Sequence, residues 1–422
     1  MRKVIEKLFA VTMLLYTSAA LLPFVAGPNT PLSMAEGSLI AIGIQVGLYC
    51  VTLFFIATRW QSFLHGALKI KWIALLLAIA VASTSWSQDP SLTLRRSALL
   101  IATTAFGIYF ATRFEISEQL QLLAWTLGVV IVLSFLFGIF LPEYGIDSSA
   151  HFGDWQGVFS QKNALARAMV LSILVFLFAR PGFHRSTRWV GFFASISLLI
   201  LSRSLSGLII FILLLGTLPL FKLLRTRVTL AIPVGLTLCA MLAASARFLG
   251  PSLPDFFEFV NRSSTLTGRT DIWSAVLISI SKRPILGYGF DAFWLGLRGE
   301  SANVLLSVHW MALHGHNGFL DLWLDLGAVG FATFVVGYLL LWRRALRVLR
   351  SSGDSASVWL CIYLAFTLLY NLTESALVRE NTIYWVLYTS TAVSIFLHKS
   401  PVTAHLENET TYELEPDLNY LP

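Results

Sequence analysis

Charged residues are scarce for a chain of this length, and that scarcity excludes an ordinary soluble protein. Only 13% of the 422 residues are Asp, Glu, Lys or Arg, whereas 56% are hydrophobic. Many hydrophobic residues form runs of about 20, the length that an α-helix needs to cross a bilayer. The two-residue alternation of a membrane β-barrel is absent, so helices must satisfy the backbone. The composition therefore predicts an all-α, multi-pass membrane protein.

Cysteine is also scarce, and its placement excludes a disulfide framework. The only three cysteines, Cys50, Cys239 and Cys361, lie inside hydrophobic runs and have no paired spacing. We interpret them as small apolar residues. The sequence also lacks repeats of 20–50 residues and an inverted repeat of its two halves. Interrupted helices at matching places in the two halves would indicate a transporter. The polar residues are instead concentrated in one asymmetric loop, which favours an enzyme over a lipid-linked oligosaccharide transporter.

The hydrophobic segments predict about 12 transmembrane helices. The predicted spans are 8–26, 38–57, 70–86, 97–112, 119–141, 163–180, 189–202, 206–222, 228–248, 318–342, 356–374 and 381–398. These spans form a membrane domain (1–398), which includes one large periplasmic loop (249–317) and precedes an acidic, disordered cytoplasmic tail (399–422). Most Lys and Arg fall in alternate connectors, which predicts that both termini are cytoplasmic. We attribute the net charge of +7 to this bias and expect no nucleic-acid partner.

The remaining basic residues face the outer side, and most of them are arginines. They are Arg95, Arg96, Lys162, Arg167, Arg203, Arg247, Arg262, Arg269, Lys282, Arg283, Arg298 and Arg379. Since positive charge opposes translocation, something must compensate for it. These residues either form ordinary ion pairs with nearby carboxylates and lipid phosphates, or they share one anion site, for which guanidinium groups are well suited. Both interpretations stay open from the sequence.

His316 is the candidate general base. It lies just before the tenth predicted span, with Asn317 placed to cap that helix. The positive helix end would keep the imidazole neutral, as a base requires. Two alternatives remain: a structural histidine bonded to loop carbonyls, or a zinc site of His309, His314 and His316. A fourth ligand at a recognisable spacing is absent.

Three carboxylates are candidate partners for these residues. Asp321 and Asp325 lie in the tenth predicted span, and Glu374 lies later in the sequence. Asp321 fits the favourable first turn of a helix. Asp325 lies about two turns deep, which favours pairing with an inward-facing arginine. Glu374 is either a helix-end carboxylate or an acid that orients His316 or a sugar hydroxyl.

Aromatic residues surround these polar positions. They are Trp273, Phe290, Phe293, Trp294, Trp310 and Trp323. An interfacial aromatic belt is the first interpretation, and a groove that stacks on sugar rings is also compatible.

Several motifs together resemble the O-antigen ligase and polymerase superfamily. The resemblance rests on Thr267-Gly268-Arg269 with Trp273, on Pro284 and Gly287-Tyr288-Gly289, and on His316-Asn317-Gly318-Phe319-Leu320 with Gly327. The stretches Trp86–Arg96 and Gly157–Ala166 resemble the exopolysaccharide-polymerisation members in particular. The similarity spans most of the membrane region, and its specific part lies between residues 267 and 327.

The resemblance implies a GT-C-like glycosyltransferase of the bacterial inner membrane, active on the periplasmic side. Its donor would be a glycan on undecaprenyl diphosphate, and its acceptor a glycan or a lipid A core. His316 would deprotonate the acceptor hydroxyl, which attacks with inversion. Arg269, with Arg203 and Arg95 or Arg96, would hold the departing diphosphate. Arg167, Asn317 and Glu374 are further substrate-binding candidates.

The expected partners are membrane lipids and other polysaccharide-assembly proteins. The sequence contains nothing like the Asp-x-Asp site that holds Mg²⁺ for a nucleotide-sugar donor. We therefore predict a reaction that needs neither a metal nor another cofactor. A purely structural membrane partner of a polysaccharide-assembly complex is a further alternative.

Overall fold

The computed structural model describes residues 1–26, 39–147, 153–179, 182–226, 269–352 and 354–398. The following predicted features lie outside these residues: the span 228–248, the beginning of the 249–317 loop, the tail 399–422, Arg247, Arg262, Thr267 and Gly268.

The described residues form helices and no β-strand, which confirms the all-α prediction for this part of the chain. The helices are α1 (Arg2–Thr17), α2 (Leu22–Ala26), α3 (Leu39–Ala57), α4 (Trp60–Lys69), α5 (Lys71–Ala82), α6 (Pro90–Arg113), α7 (Ile116–Phe140), α8 (Pro142–Gly145), α9 (Lys162–Phe178), α10 (Arg185–Leu201), α11 (Leu205–Thr226), α12 (Arg269–Lys282), α13 (Ser301–Val308), α14 (Gly318–Ser352), α15 (Ser355–Asn371) and α16 (Ile383–Leu397).

Every predicted span other than 228–248 coincides with a helix, but fewer helices qualify as spans. Among the described residues, four helices are long and apolar enough to cross a membrane: α3, α7, α11 and α14. A fifth crossing results if α4 and the segment Lys71–Ser85 form one span, although they meet at 88°. The chain is therefore a multi-pass membrane protein, while the number of 12 spans stays a prediction.

Helices α6 and α16 pack closely together in the core of the bundle. A Cβ atom at Gly107 would lie 2.9 Å from the Thr389 Cβ and from the Val386 carbonyl oxygen, so only glycine permits this approach. A buried hydrogen bond from Trp385 Nε1 to Thr104 Oγ1 (2.8 Å) also joins the two helices. This packing fixes the loop 372–382, which immediately precedes α16.

Helix α14 is broken at Gly327, where φ is 63° and ψ is −168°. In a regular helix the N–H groups of Ala328 and Val329 would donate to the carbonyls of Leu324 and Asp325. These four groups instead bond to another segment. Broken helices occur at membrane depth only where such groups find partners in the protein.

The segment 284–289 supplies all of those partners. The N–H groups of Tyr288 and Gly289 donate to the two free α14 carbonyls at 2.8 and 3.0 Å. The carbonyls of Pro284 and Ile285 accept from the two free α14 N–H groups at 2.8 and 3.3 Å. The loop therefore fills the helix break with backbone hydrogen bonds.

Glycine is required where the loop and the helix meet. A Cβ atom at Gly327 would lie 2.1 Å from the Ile285 carbonyl oxygen, and one at Gly287 would lie 2.4 Å from the Leu324 carbonyl oxygen. Both glycines also have a positive φ, which L-residues rarely adopt. This packing explains why Gly287 and Gly327 belong to the motifs on which the family resemblance rests.

A second, smaller apolar cluster holds the outer segment against the first half of α14. Ile272 and Val276 of α12, Phe293 of the following loop, and Val304 of α13 pack with Leu324 of α14 in this cluster, and all are nearly fully buried. This cluster places Arg269, the first residue of α12, near the loop that carries His316.

Candidate active site

Asp321 clamps the loop that carries His316. Its carboxylate, which is 2% exposed, accepts hydrogen bonds from the Gly315 N–H (3.0 Å), from Trp294 Nε1 (2.9 Å) and from the Ser375 hydroxyl. Asp321 lies in the first turn of α14, as the sequence suggested. It also joins three loops, because each donor comes from a different connector.

His316 itself has a backbone conformation that is unusual for histidine. Its φ is 48°, in the left-handed region, which costs about 1–2 kcal/mol for a residue with a Cβ. Its N–H donates to His314 Nδ1 at 3.2 Å. Strain of this kind persists only where the surroundings impose it, and it is common at functional sites.

Asn317 caps α14, as the sequence predicts. Its Oδ1 accepts from the N–H groups of Phe319 (3.0 Å) and Leu320 (3.2 Å). Because the cap occupies this oxygen, a substrate contact of Asn317 would have to use Nδ2.

Glu374 contacts both residues that the sequence singles out for catalysis. Its Oε1 accepts from Arg269 Nη2 at 2.9 Å, and its Oε2 lies 3.5 Å from His316 Nδ1. All three side chains are largely buried, with exposed fractions of 7%, 11% and 17% for Glu374, Arg269 and His316. The geometry favours the interpretation of Glu374 as an acid that orients His316.

The carboxyl of Glu374 is ionised over the physiological pH range. Burial raises its pKa, but the neighbouring His316, His314 and Arg269 outweigh burial and hold the pKa at about 2. At 3.5 Å the approach to His316 Nδ1 is at the limit of a hydrogen bond, and no other group among the described residues bonds this buried atom. A carboxylate in this position favours a proton on Nδ1, which leaves Nε2 of His316 as the proton acceptor.

His314 is neutral. Burial, followed by the nearby His316, lowers its pKa to about 3. Its Nδ1 accepts a hydrogen bond from the His316 N–H, so the proton of the neutral ring is on Nε2. The two imidazole rings lie side by side, with centroids 4.2 Å apart.

His314, His316 and Glu374 have ligand atoms within 4.8 Å of one another, as a metal site would require. The chemistry of these atoms does not suit a divalent cation. Nε2 of His314 carries a proton, Nδ1 of His316 faces Glu374, and Oε1 of Glu374 accepts from Arg269. His309, which the alternative zinc site included, is not in this group.

Arg167 brings a second guanidinium close to the same carboxylate. Its centre lies 4.4 Å from the ring centroid of Tyr384 and 5.8 Å from that of Tyr370, and its buried Nε has no hydrogen-bond partner within the described ranges of the chain. Arg167 interacts electrostatically with Glu374 and with His314. Two arginines, Arg269 and Arg167, therefore interact with one carboxylate.

Two of the predicted diphosphate ligands lie in other ion-pair groups. Arg96 pairs with Asp291 and lies 3.7 Å from Glu380 Oε1. Arg203 lies 3.6 Å from Asp154 Oδ1 and its side chain is 66% exposed, while the other oxygen of Asp154, Oδ2, accepts from Lys162 Nζ at 2.6 Å.

Arg95, the remaining predicted ligand, is an exposed residue of α6. The structure therefore brings together His316, Arg269, Arg167 and Glu374, while the ion-pair partners of Arg96 and Arg203 are other carboxylates. Ordinary ion pairing, the first interpretation of the outward arginines, applies to Arg96 and Arg203.

Arg379 forms the link between the ion pairs around Asp291 and the candidate base. It pairs with Asp291, lies 3.8 Å from Asp325 Oδ2, and lies 4.0 Å from Asp321 Oδ2. The expected pairing of Asp325 with an arginine is therefore present. Arg379 and Ser375 could not be predicted as partners of α14, because more than fifty residues separate them from Asp321.

Two comparisons with known proteins match this chain. Residues 190–335 match a family model described as O-antigen ligase, and this range includes Arg203, Arg269, His316 and Asn317. The exopolysaccharide production protein ExoQ of Rhizobium meliloti (strain 1021) is 21% identical over 298 residues, which cover 67% of this chain and 66% of ExoQ. The chain thus matches slightly less than two thirds of the length of that relative.

Proposed function

Both comparisons support the O-antigen ligase and polymerase superfamily for this chain, as the sequence predicts, and from that premise we propose that the protein is a membrane glycosyltransferase. It transfers a glycan from undecaprenyl diphosphate to a sugar hydroxyl and thereby extends an exopolysaccharide or O-antigen chain. The observation that carries the proposal is the buried carboxylate of Glu374, which faces His316 with one oxygen and Arg269 with the other.

The proposed reaction is a single displacement at the anomeric carbon. His316 Nε2 takes the proton of the acceptor hydroxyl, and the oxygen forms the new glycosidic bond. The bond from the anomeric carbon to the diphosphate oxygen breaks, and its electron pair leaves with undecaprenyl diphosphate. Attack from the opposite face inverts the configuration. The charges of Arg269 and Arg167 stabilise the leaving group where negative charge develops.

Glu374 has two functions in this proposal. It orients the imidazole of His316, as the carboxylate of a catalytic triad does. Its ion pair also holds the guanidinium of Arg269 at the other oxygen of the same carboxylate. Arg167 adds a second guanidinium that interacts electrostatically with Glu374, which supports binding of an anionic leaving group. The atoms of this group do not suit a divalent metal, which supports a reaction without one.

The test is reconstitution of the protein in vesicles with a defined undecaprenyl-diphosphate oligosaccharide, in buffer with EDTA. We expect products with several repeat units and free undecaprenyl diphosphate. Activity that appears only after a divalent metal is added would contradict the metal-free reaction. Absence of any transfer would contradict the proposed function.

The alternative is an O-antigen ligase, which moves a finished chain to a lipid A core. The description of the matching family model favours this alternative, whereas the name of the relative ExoQ favours exopolysaccharide production. Vesicles that also contain a lipid A core distinguish the two. Growth of the donor-linked chain supports the polymerase, and transfer of the glycan to lipid A core supports the ligase.

His316→Asn is the variant that tests the base. Asparagine tolerates the left-handed backbone of position 316 better than alanine does, so loss of activity would reflect loss of the imidazole. We expect a roughly 10²–10⁴-fold lower transfer rate with normal membrane abundance. Transfer at the wild-type rate would exclude His316 as the base.

A further inference from the structure

The structure assigns local roles to most of the aromatic residues near the site. Three tryptophans donate their indole N–H at 2.9 Å, Trp273 to the Gly315 carbonyl, Trp294 to Asp321 and Trp323 to the Pro284 carbonyl. Phe290 and Phe293 are at most 1% exposed. The contacts of these five residues stabilise the loops around the site. As a set, the five residues therefore form neither an interfacial aromatic belt nor a groove that stacks on sugar rings.

Trp310 differs from these five residues. Its side chain is exposed (37%), and its ring centroid lies 5.8 Å from that of His316, at an interplanar angle of 41°. The left-handed His309 ends α13, and the Ala312 N–H donates to the Trp310 carbonyl at 3.1 Å. The loop thus places an accessible aromatic ring next to the candidate base.

We propose that Trp310 is the binding platform for the acceptor sugar, on which the sugar ring stacks with a hydroxyl directed at His316. This inference rests on the proposed function and specifies its acceptor site. The donor diphosphate needs charge, which Arg269 and Arg167 provide, whereas the C–H face of a sugar ring needs an apolar surface. An aromatic ring supplies that surface with little loss of conformational freedom.

Because Trp310 lies next to His316, a sugar that stacks on Trp310 has its hydroxyls close to the candidate base. A base accelerates the transfer only if the hydroxyl is held within hydrogen-bonding distance of it. Stacking fixes the plane of the sugar and leaves its hydroxyls on the edge of the ring. Trp310 therefore contributes to acceptor binding, while the donor and the proton are handled by other residues.

The experiment compares Trp310→Leu, which removes the aromatic face, with Trp310→Phe, which keeps one. Trp60→Leu is the matched control, because Trp60 is also exposed (59%) but belongs to α4. In reconstituted vesicles that hold the lipid-linked donor and receive the free repeat-unit oligosaccharide as a separate acceptor, we expect Trp310→Leu to raise the acceptor KM roughly tenfold, with little change in the donor KM. The acceptor KM of Trp310→Phe should lie between those of the wild type and Trp310→Leu. The Trp60→Leu control should have the acceptor KM of the wild type.

A binding measurement tests the proposed role of Trp310 without requiring glycan transfer. Saturation-transfer NMR detects the repeat-unit oligosaccharide, released from the cell's own polysaccharide, on full-length His316→Asn protein. We expect a signal that Trp310→Leu abolishes. An unchanged acceptor KM and an unchanged NMR signal would overturn the platform and leave Trp310 as a membrane anchor beside Met311 and Leu313, both more than 60% exposed. A wild type that transfers no glycan would instead overturn the proposed function, while the NMR signal would still test the platform.

Discussion

In the part of the chain that the structure describes, Arg269 forms one ion pair, with Glu374 through Nη2, and that pair leaves part of its guanidinium fork for a substrate. Lysine at this position keeps the charge but cannot pair with the carboxylate and with a diphosphate in the same fixed geometry. We therefore expect Arg269→Lys to lower the transfer rate roughly 10²-fold.

The matched control for that variant is Arg298→Lys. Arg298 belongs to the same outer segment, but it is exposed and lies outside the group around Glu374. The control should keep the wild-type rate in the vesicle assay. If Arg269→Lys also kept that rate, Arg269 would have a structural role only.

Glu374 allows a second prediction, because its protonation couples folding to pH. Its pKa in the folded protein, about 2, lies below the ordinary value of 4.5. A lowered pKa stabilises the folded state above the ordinary value, and this stabilisation disappears as the pH falls from about 4.5 towards 2. Glu374→Gln removes the titrating group, so the advantage of the wild type over this variant should shrink over that range.

The measurement is the thermal midpoint of both detergent-solubilised proteins between pH 7 and pH 3. An advantage of the wild type that stays constant down to pH 3 would contradict the assigned ion pair. The same variant should transfer glycan roughly 10²–10⁴-fold more slowly at neutral pH, because the imidazole loses its orienting carboxylate.

At the scale of helices and loops, the break in α14 and the segment 284–289 form one unit. Neither part is stable alone, since the break leaves backbone groups without helical partners and the loop supplies them. The first half of α14 carries Asn317 at its beginning and Asp321 within it, and both hold the His316 loop. The position of the candidate base therefore depends on this unit.

Gly327→Ala tests that dependence. Its Cβ would lie 2.1 Å from the Ile285 carbonyl oxygen, and its φ of 63° is unfavourable for alanine. We expect a loss of roughly 1–3 kcal/mol or more in stability, together with loss of transfer. The readouts are the thermal midpoint in detergent and the amount of folded protein recovered from membranes.

Gly128→Ala is the control, because a Cβ at Gly128 in α7 meets nothing within 4 Å. Alanine there should leave the thermal midpoint unchanged or raise it, since it favours the helix by roughly 0.5–1 kcal/mol. A Gly327 variant as stable and active as this control would show that the loop does not require the break.

For the whole molecule, the helices were predictable because long apolar runs have one stable arrangement in a bilayer. The cap by Asn317 was also predictable, since it depends on neighbours in sequence. The break at Gly327 was not, because the groups that bond to it are in segment 284–289, which is distant from Gly327 in sequence.

The candidate site could be predicted only in part, for the same physical reason. Arg269, Glu374 and His316 meet through folding over long sequence separations, and spacing left the role of Glu374 open. One of the two interpretations of the outward arginines was a single anion site. In the structure, Arg96 and Arg203 instead pair with the buried carboxylates of Asp291 and Asp154. Sequence indicates which residues need a partner but not which carboxylate each one finds.

The orientation of the whole molecule yields the last prediction. Helix α14 has 35 residues, which is long enough to cross a bilayer, and its end carries Arg343, Arg344, Arg347 and Arg350. Positive residues favour the cytoplasmic side, so His316, just before the other end, should face the periplasm. Arg298→Cys and Arg350→Cys, each in a chain whose three cysteines are replaced by alanine, report the two sides because both positions are exposed.

In intact spheroplasts, a membrane-impermeant maleimide should label the cysteine at position 298, and it should label position 350 only after permeabilisation. The reverse pattern would place the candidate site in the cytoplasm, where a periplasmic polymerase could not use it. Labelling of both positions from the same side would mean that α14 does not cross the membrane. The experiment thus separates an error in the orientation of the protein from an error in the number of its spans.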